Sequence, residues 1–490
     1  MNLPKALTFG TATLLLLAGW CRSALAQANP DNSAQNSYAG SVQAVAATPE
    51  VKQLSLDDAI RLGIENNLAL TLAKQNQKIA EAQKLQLANA LLPNLSLHAD
   101  HGVHQIDLSS YGFSPGILPS FGITPAQVAA FPTIVTVNST DAQVNMSQAI
   151  FTWSGIDVWK AAKANEKAAY YNTQSSRGLV VLNVGTAYLK ALAASSQVDY
   201  AQALLKTDET LLYQAHEEHV AGTAANLDEL RARVQYQTQQ QTLISAENSF
   251  EKSKIALLRQ IGIAPEQKIQ LTDATPYADL ASLTIEDARK EAYGSRQDFQ
   301  SLKQQIRSAQ LERQAVKHER FPSINFDGNY GVTGVTGQIY HGLFTAEGTI
   351  SIPIFDEAKF RGDKDVAVAQ VDEIRSQLND LTNKIDQQLR DSLLDLQTAA
   401  ELVRVARSNV DLATTALGQT TDRFQAGVDD NLPVVQAQST LAQAQTQYVN
   451  TVFQFNQAKL GLARNLGIID TQYKNYIPGN SPAPQPQGGK

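Results

Sequence analysis

LRDSLLDLQTAAELVRVARSNVDLATTALGQTTDRFQ, residues 389–425, sets large apolar side chains at strict sevens: Leu389, Leu396, Val403, Val410, Leu417 and Phe424. Ala399, Ala406 and Ala413 sit three places after members of that series. A seven-residue repeat is slightly shorter than two α-helical turns, so the seam stays aligned only if helices wind left-handedly about each other. Alanine at the alternate positions lets their backbones approach closely. The stretch belongs to a proline-free run from Ala358 to Gln425. A matching run spans Ile156 to Val220, with Val184, Ala191, Val198, Leu205 and Leu212 on its seam. Each run holds about 65 residues, on the order of 100 Å of helix, several times the ordinary length. A helix that long cannot fold back into a compact core, so the chain builds something elongated.

Working outward, Ser55-Leu56-Asp57-Asp58 reads as a capping box that opens a helix running to about Leu92, where Pro93 stops it. Thr284 to Asp287 has the same spacing, and its helix is expected to run to Phe321, before Pro322. After each proline the period changes from helical to two. Leu95, Leu97 and Ala99 alternate with polar residues, as do Ala142, Val144, Met146 and Ile150. The second copy continues with Ile324, Phe326, Gly328, Tyr330 and Val332, then Ala346, Gly348, Ile350, Ile352 and Ile354. Such alternation fits strands with one apolar and one wet face, and equally the strands of a membrane barrel. Phe151, Trp153, Phe321 and Phe355 at the hairpin ends are candidates for an interfacial aromatic girdle. No segment past the leader shows the unbroken apolar run of a transmembrane helix.

The chain is thus two copies of helix, strand, strand, long helix, turn, helix. Leu92-Pro93-Asn94-Leu95 matches Phe321-Pro322-Ser323-Ile324, and Ile150-Phe151 matches Ile354-Phe355. Ala221-Gly222 matches Ala426-Gly427, and Ile261-Gly262-Ile263 matches Leu466-Gly467-Ile468. The first repeat takes residues 54–263, with a hairpin at 94–150, the long helix at 156–220 and a helix at 226–261. The second takes residues 283–469, with the hairpin at 323–354, the long helix at 358–425 and a helix at 431–466. The first hairpin is the longer, and its excess falls in the Gly/Pro/Phe-rich stretch from Ser109 to Pro132, read as an outer loop. The two shorter helices of a repeat, about 73 residues together, match the long helix in length and can run beside it as a rod.

Residues 1–26 read as a secretory leader: Lys5, an apolar run from Ala12 to Trp20, and Ala24-Leu25-Ala26 as the cleavage site. Trp20 before Cys21, the single cysteine, disfavours a lipid anchor there. Residues 27–53 are expected to be disordered, 264–282 an irregular linker and 470–490 a tail without fixed structure. With 40 Lys and Arg against 47 Asp and Glu the net charge is −7, which argues against nucleic acid as the main partner.

The paired helix–proline–strand junctions, the strand exits Gln148-Ala149-Ile150-Phe151 and Ile352-Pro353-Ile354-Phe355, the Ala-Gly turns followed by Asn226-Leu227 and Asn431-Leu432, and the Leu-Gly closures together resemble the TolC family of outer-membrane efflux channels. The resemblance covers residues 54 to 469. It implies a mixed α and β membrane protein: a homotrimer whose 12-stranded β-barrel, four strands per chain, continues into a long periplasmic α-helical barrel. It also implies docking to a periplasmic membrane-fusion adaptor and an inner-membrane transporter, outer-membrane lipid as surroundings, and no cofactor. Part of this follows from physics alone. Four strands cannot close a barrel and open edges are not tolerated in lipid, so several chains must share one. Eight strands leave a filled interior and twelve leave room for a pore; the number three comes from the resemblance.

No catalytic or metal constellation is expected. His98, His101 and His104 are split across both faces of a strand, and His216-Glu217-Glu218-His219 lacks the i,i+4 pair of a zinc helix. In a tunnel of this kind the Gly222 and Gly427 turns lie farthest from the membrane. Asp429 and Asp430, with Asp228, are candidates for a periplasmic gate ring that favours cations; the plainer reading is helix-capping acids. Relatives carry an Asp six residues after the turn glycine; Asp228 fits that place and Pro433 does not. Ala221, Gly222, Thr223, Ala426, Gly427 and Val428 are candidates for adaptor contact. The leading expectation is passive export of small toxic compounds. The alternatives are a type I exit duct for polypeptides and, in a different class, a periplasmic coiled-coil tether without a pore.

Overall fold

The computed structural model describes residues 40–42, 45–111, 122, 124, 126, 132–223, 225–273 and 283–477. The leader at 1–26, most of the segment to 53, and most of the outer loop lie outside the described residues. In chain order the elements are strand β1 (Lys52–Leu54), helices α1 (Leu56–Asn66) and α2 (Leu68–Ala88), strands β2 (Asn94–Asp107) and β3 (Ile134–Phe151), and the long helix α3 (Trp153–Val220). Helix α4 (Asn226–Ile261), strand β4 (Ile269–Leu271) and helices α5 (Ile285–Ser295) and α6 (Gln297–His318) follow. Strands β5 (Ser323–Val335) and β6 (His341–Ser351), the long helix α7 (Glu357–Gln425), α8 (Leu432–Leu466) and α9 (Ile469–Tyr476) complete the chain.

The two hairpins join into one antiparallel sheet, β2-β3-β5-β6. Its register collects the apolar residues of all four strands. Leu95 faces Met146, which faces Gly328 and then Ala346; Leu97, Val144, Tyr330 and Phe344 form the next level. Residues directly opposite share a face, so one side of the sheet is apolar at its helix-proximal levels and turns polar from the His101–Thr140 pair onward. The other side carries Asn94, Ser147, Asp327 and Glu347 at one level and Asp100, Asp141, Thr333 and His341 at another. Three expected strand positions move. A bulge pairs Ala149 with Asn325 and Phe151 with Ile324, so Ile150 leaves the apolar series. Strand β6 ends at Ser351, which leaves Ile352 and Ile354 beyond the ladder.

The long helices hold 68 and 69 residues. Helices α1, α2 and α4, of 11, 21 and 36 residues, equal α3 when stacked end to end. Near the sheet the lateral order is α2-α3-α6-α7, and toward the Ala-Gly turns it is α4-α3-α8-α7. Side-chain bonds fix these levels. Lys84 Nζ meets Glu166 at 2.6 Å, the Ser308 hydroxyl donates to Ala161 O, and Gln239 Nε2 donates to Ala201 O. On the second seam Leu389, Val403 and Phe424 are buried with Ala399, Ala406 and Ala413, while Leu396, Val410 and Leu417 are half-buried. In the first copy the buried row passes from Val198 to Leu204 and Leu211, leaving Leu205 and Leu212 half-buried. Helix α3 is gripped by α4 and α8 together, so its buried row answers to two neighbours rather than one seam.

The single helices expected before each proline are broken in two. Asn67 takes φ −67° and ψ 131°, its N–H bonds Gly63 O, and its side-chain oxygen accepts from Ala69 N to start α2. Arg296 takes φ −67° and ψ 120° at the matching place of the second repeat. Helices α2 and α6 also stop short of the proline junctions, at Ala88 and His318.

The largest core lies halfway down the rod. Val180, Val184 and Tyr188 of α3 meet Leu257 and Ile261 of α4, Leu460 of α8 and Ile60 of α1. Three stretches expected to be irregular are ordered against it. Residues from Gly40 form a strap: Leu68 N donates to Gly40 O, Val42 N to Asn66 O and Val45 N to Gly262 O. Strand β1 then pairs in parallel with β4, which lies inside the expected linker. Beyond residue 469, α9 forms and Ile477 is buried. Each piece is too short and polar to show in composition, and gains order by docking on a core made elsewhere. One α3 window does reach a mean hydropathy of 1.3, contrary to the expectation that no such run exists, but 56% of it is buried inside the protein. It is a core helix.

Candidate functional site

The candidate residues gather at the two ends of the rod. At the far end each long helix closes on a left-handed glycine, with φ 75° at Gly222 and 69° at Gly427. Thr223 N bonds Glu218 O, and Val428 N bonds Arg423 O, so both turns are helix-ending caps that a side chain at the glycine would strain. Ala221, Gly222, Thr223, Ala426, Gly427 and Val428 are all exposed.

The structure joins the two turns and gives their acids partners. Asn431 is fully buried, and its Nδ2 donates to Asp228 O at 2.6 Å across the repeats. Arg231 Nη1 stands 3.3 Å from Asp228 and 3.5 Å from Asp430, bringing these two candidates together. Asp429 is held apart, on Arg423 Nε at 2.6 Å, and that guanidinium keeps its carboxyl below the usual range. Asp430 also accepts from Leu432 N at the start of α8. The expected acidic ring is therefore an acid–arginine lattice, with weaker net charge than three bare carboxylates. Arg231 was legible as an i,i+3 neighbour of Asp228. Arg423, across a turn from Asp429, was not. Beside the lattice, Leu227, Leu230, Val234, Gln235 and Val435 line a shallow groove of about 330 Å³.

At the sheet end, three of the four girdle candidates meet. The rings of Phe151 and Trp153 lie edge to face at 5.0 Å, and His318 links Trp153 (5.9 Å) to Phe321 (5.1 Å). His318, which pattern reading missed, bonds the buried Asp157 at 2.6 Å and fastens the end of α6 to the start of α3. Phe355 stands apart, 92% exposed. His98 and His104 lie on the wet face of β2 and His101 on the other, where it meets the Thr140 hydroxyl. Among the described residues no group of three or more His, Cys, Asp or Glu side chains could hold a metal ion.

The family model described as outer membrane efflux protein matches residues 59–262 and 288–468. The chain is 22% identical over 456 residues to the pyoverdine export outer membrane protein OpmQ of Pseudomonas putida, covering 92% of this chain and 91% of that protein. It is 24% identical over 430 residues to the outer membrane protein TolC of Escherichia coli, covering 81% and 78%. The fold is similar to the Campylobacter jejuni CmeC outer membrane channel, with a TM-score of 0.68 at 16% identity over 84% of this chain and 85% of that one.

Proposed function

The chain belongs to the outer membrane efflux protein family, and from that premise we propose that three copies close into one conduit, a 12-stranded barrel continuous with a periplasmic α-helical barrel. The protein resides in the outer membrane with a large periplasmic part, in a family of channels rather than enzymes. The sideways order of the elements carries the proposal. Strands β2-β3-β5-β6 and helices α2-α3-α6-α7 run in the same sequence, so β2 with α2 forms one edge and β6 with α7 the other. Among the described residues the outer sides of β2 and β6 are unpaired, and lipid does not tolerate that. Exposed apolar side chains line the helical edges: Ile79 and Leu85 on α2, Val234 on α4, and Leu394 and Leu412 on α7. Contact between unlike edges closes a ring, and twelve strands leave a pore where eight would not.

The conduit passively carries small toxic compounds, energy being supplied by an inner-membrane transporter. The pyoverdine export role of OpmQ supports a small-compound cargo. A periplasmic adaptor seats on the turns at Thr223 and Val428 and on the groove beside them. Phe151, Trp153, Phe321 and Phe355 mark the periplasmic edge of the lipid. Asp228, Asp429 and Asp430 form the narrow ring. Planar-bilayer recording tests the pore: stepwise conductance is expected, and a non-conducting protein overturns the proposal. Asp429→Asn with Asp430→Asn is expected to lower cation preference, and unchanged selectivity removes them from the ring. Thr223→Cys and Val428→Cys are expected to crosslink to a co-expressed adaptor.

A further inference from the structure

In the lower half of the rod one carboxylate sits where nothing neutralises it. Asp208 of α3 is 1% exposed. It lies between Leu204, which packs with Leu441 and Ala413, and Leu211, which packs with Val434 and Phe424. Gln438 of α8 falls between Val434 and Leu441, so it occupies the same level, and it is 2% exposed. One oxygen of Asp208 accepts from Gln235 Nε2 of α4 at 3.3 Å; its Oδ1, and both Nε2 and Oε1 of Gln438, lack a hydrogen-bond partner. Buried polar atoms left this way are costly.

Among the described residues the surroundings supply no charge to offset the acid. Helix α8 has no charged residue between Asp430 and Lys459. On α4 the nearest, Arg231 and Arg233, are engaged by Asp228 with Asp430 and by Glu229. Helix α7 presents Val410, Ala413 and Leu417 at this level, with Asp411, Asp422 and Arg423 beyond them. On α3 itself, Lys206 and Glu209 flank Asp208 on exposed and outlying positions.

We propose that Asp208 is a proton-operated latch in the lower half of the rod: as the neutral acid it donates to Gln438 Oε1 and locks the α3–α8 seam, and as the carboxylate it loosens that seam. One proton from solvent is bound on closing and released on opening. Burial pushes the Asp208 carboxyl up to about 6, against the smaller opposing effect of the Gln235 bond. A raised value makes the seam's contribution complete in acid and lost as pH rises through about 6.

The latch rests on the channel reading, so two measurements keep them separate. The purified full-length protein and its Asp208→Asn form are melted and recorded in bilayers from about pH 5 to about pH 8. Asparagine keeps the shape without the charge. Relative to it, the native protein is expected to lose melting temperature as pH rises, and its open-to-closed ratio to increase by about 10-fold per chain across that range. Gln438→Leu is expected to remove the gain on the acid side. If Asp208→Asn follows the native protein across the whole range in both measurements, the latch is overturned. If no variant conducts at any pH, the channel reading fails instead, and the melting difference alone decides whether Asp208 senses protons.

Discussion

Asn67 and Arg296 occupy the same place in the two repeats and hold the same backbone by different means. Both sit at φ −67° with extended ψ, and both let a short helix turn into the next beside the mid-rod core. In the first repeat the break is stabilised locally. The Asn67 side chain caps α2, and the strap donates or accepts backbone bonds at Asn66 and Leu68. In the second repeat no strap crosses among the described residues, and a buried guanidinium ties three elements together. Arg296 bonds Asp298 at 2.7 Å, Gln388 of α7 at 2.8 Å and the Asn465 carbonyl of α8 at 3.5 Å. A second buried arginine, Arg464, reaches Ser175 of α3 at 3.2 Å. Duplication preserved the bend, and each copy then found its own partners for it. The second break therefore depends on charge and the first does not.

The comparison is broken most severely at Arg296. Arg296→Ala empties a buried site and leaves the half-buried Asp298 carboxylate and Gln388 without their partner, and is expected to cost about 3 kcal/mol in denaturant melts. The paired change Arg296→Met with Asp298→Leu is expected to recover most of that loss, since well-packed apolar groups replace a buried pair at little cost. Next in size come the helix-ending glycines. Gly467 has φ 81°, and a Cβ there would lie 2.6 Å from Arg296 N, which is backbone and cannot swing away. At Gly262, φ 78°, the same atom meets the Asn66 side chain. Each alanine costs about 1–2 kcal/mol for its left-handed backbone, and Gly467→Ala is expected to exceed Gly262→Ala in the same melts.

Acid sharpens the contrast without mutation. Burial pushes the Asp298 carboxyl up, but the Arg296 guanidinium, helped by Arg464 and the Phe299 N–H, outweighs it and holds the group below its ordinary value. Its contribution is present above the usual carboxylate range and is lost as pH falls through the lowered value. Hydrogen exchange at the second break is expected to accelerate in acid before exchange at the first, where Asn67 does not titrate. Asn67→Ala is expected to cost about 1 kcal/mol, the usual worth of a helix cap. Smallest is Lys474→Ala, which removes an exposed pair with Asp57 at 2.6 Å and is expected to change stability by ~0.5 kcal/mol or less in high salt.

Much of the architecture was legible in the chain. The sevens from Leu389 to Phe424, the alternation from Leu95 and from Ile324, and the glycines at 222 and 427 are periodic or local, so neighbouring residues declare them. The break at Asn67 was less visible, because an Asn before Leu68 is also tolerated inside a helix. The Arg296 break had only the Gly294-Ser295 pair before it as a local sign, and such a pair is also found inside helices. Arg231 was readable beside Asp228 at i,i+3, but its meeting with Asp430 was not, because those positions lie in different repeats.

What the amino-acid order determined by itself was therefore duplication, helix length, strand faces and the two closing turns, since 3.6-fold and two-fold periods are written in consecutive residues. What only the tertiary structure decided was the ordering of the strap, β4 and α9, the pairing of the turn acids with arginines, and the isolation of Asp208. Each depends on chain segments far apart in sequence meeting in a low-dielectric place, where a partner's presence or absence sets the energy of a polar group.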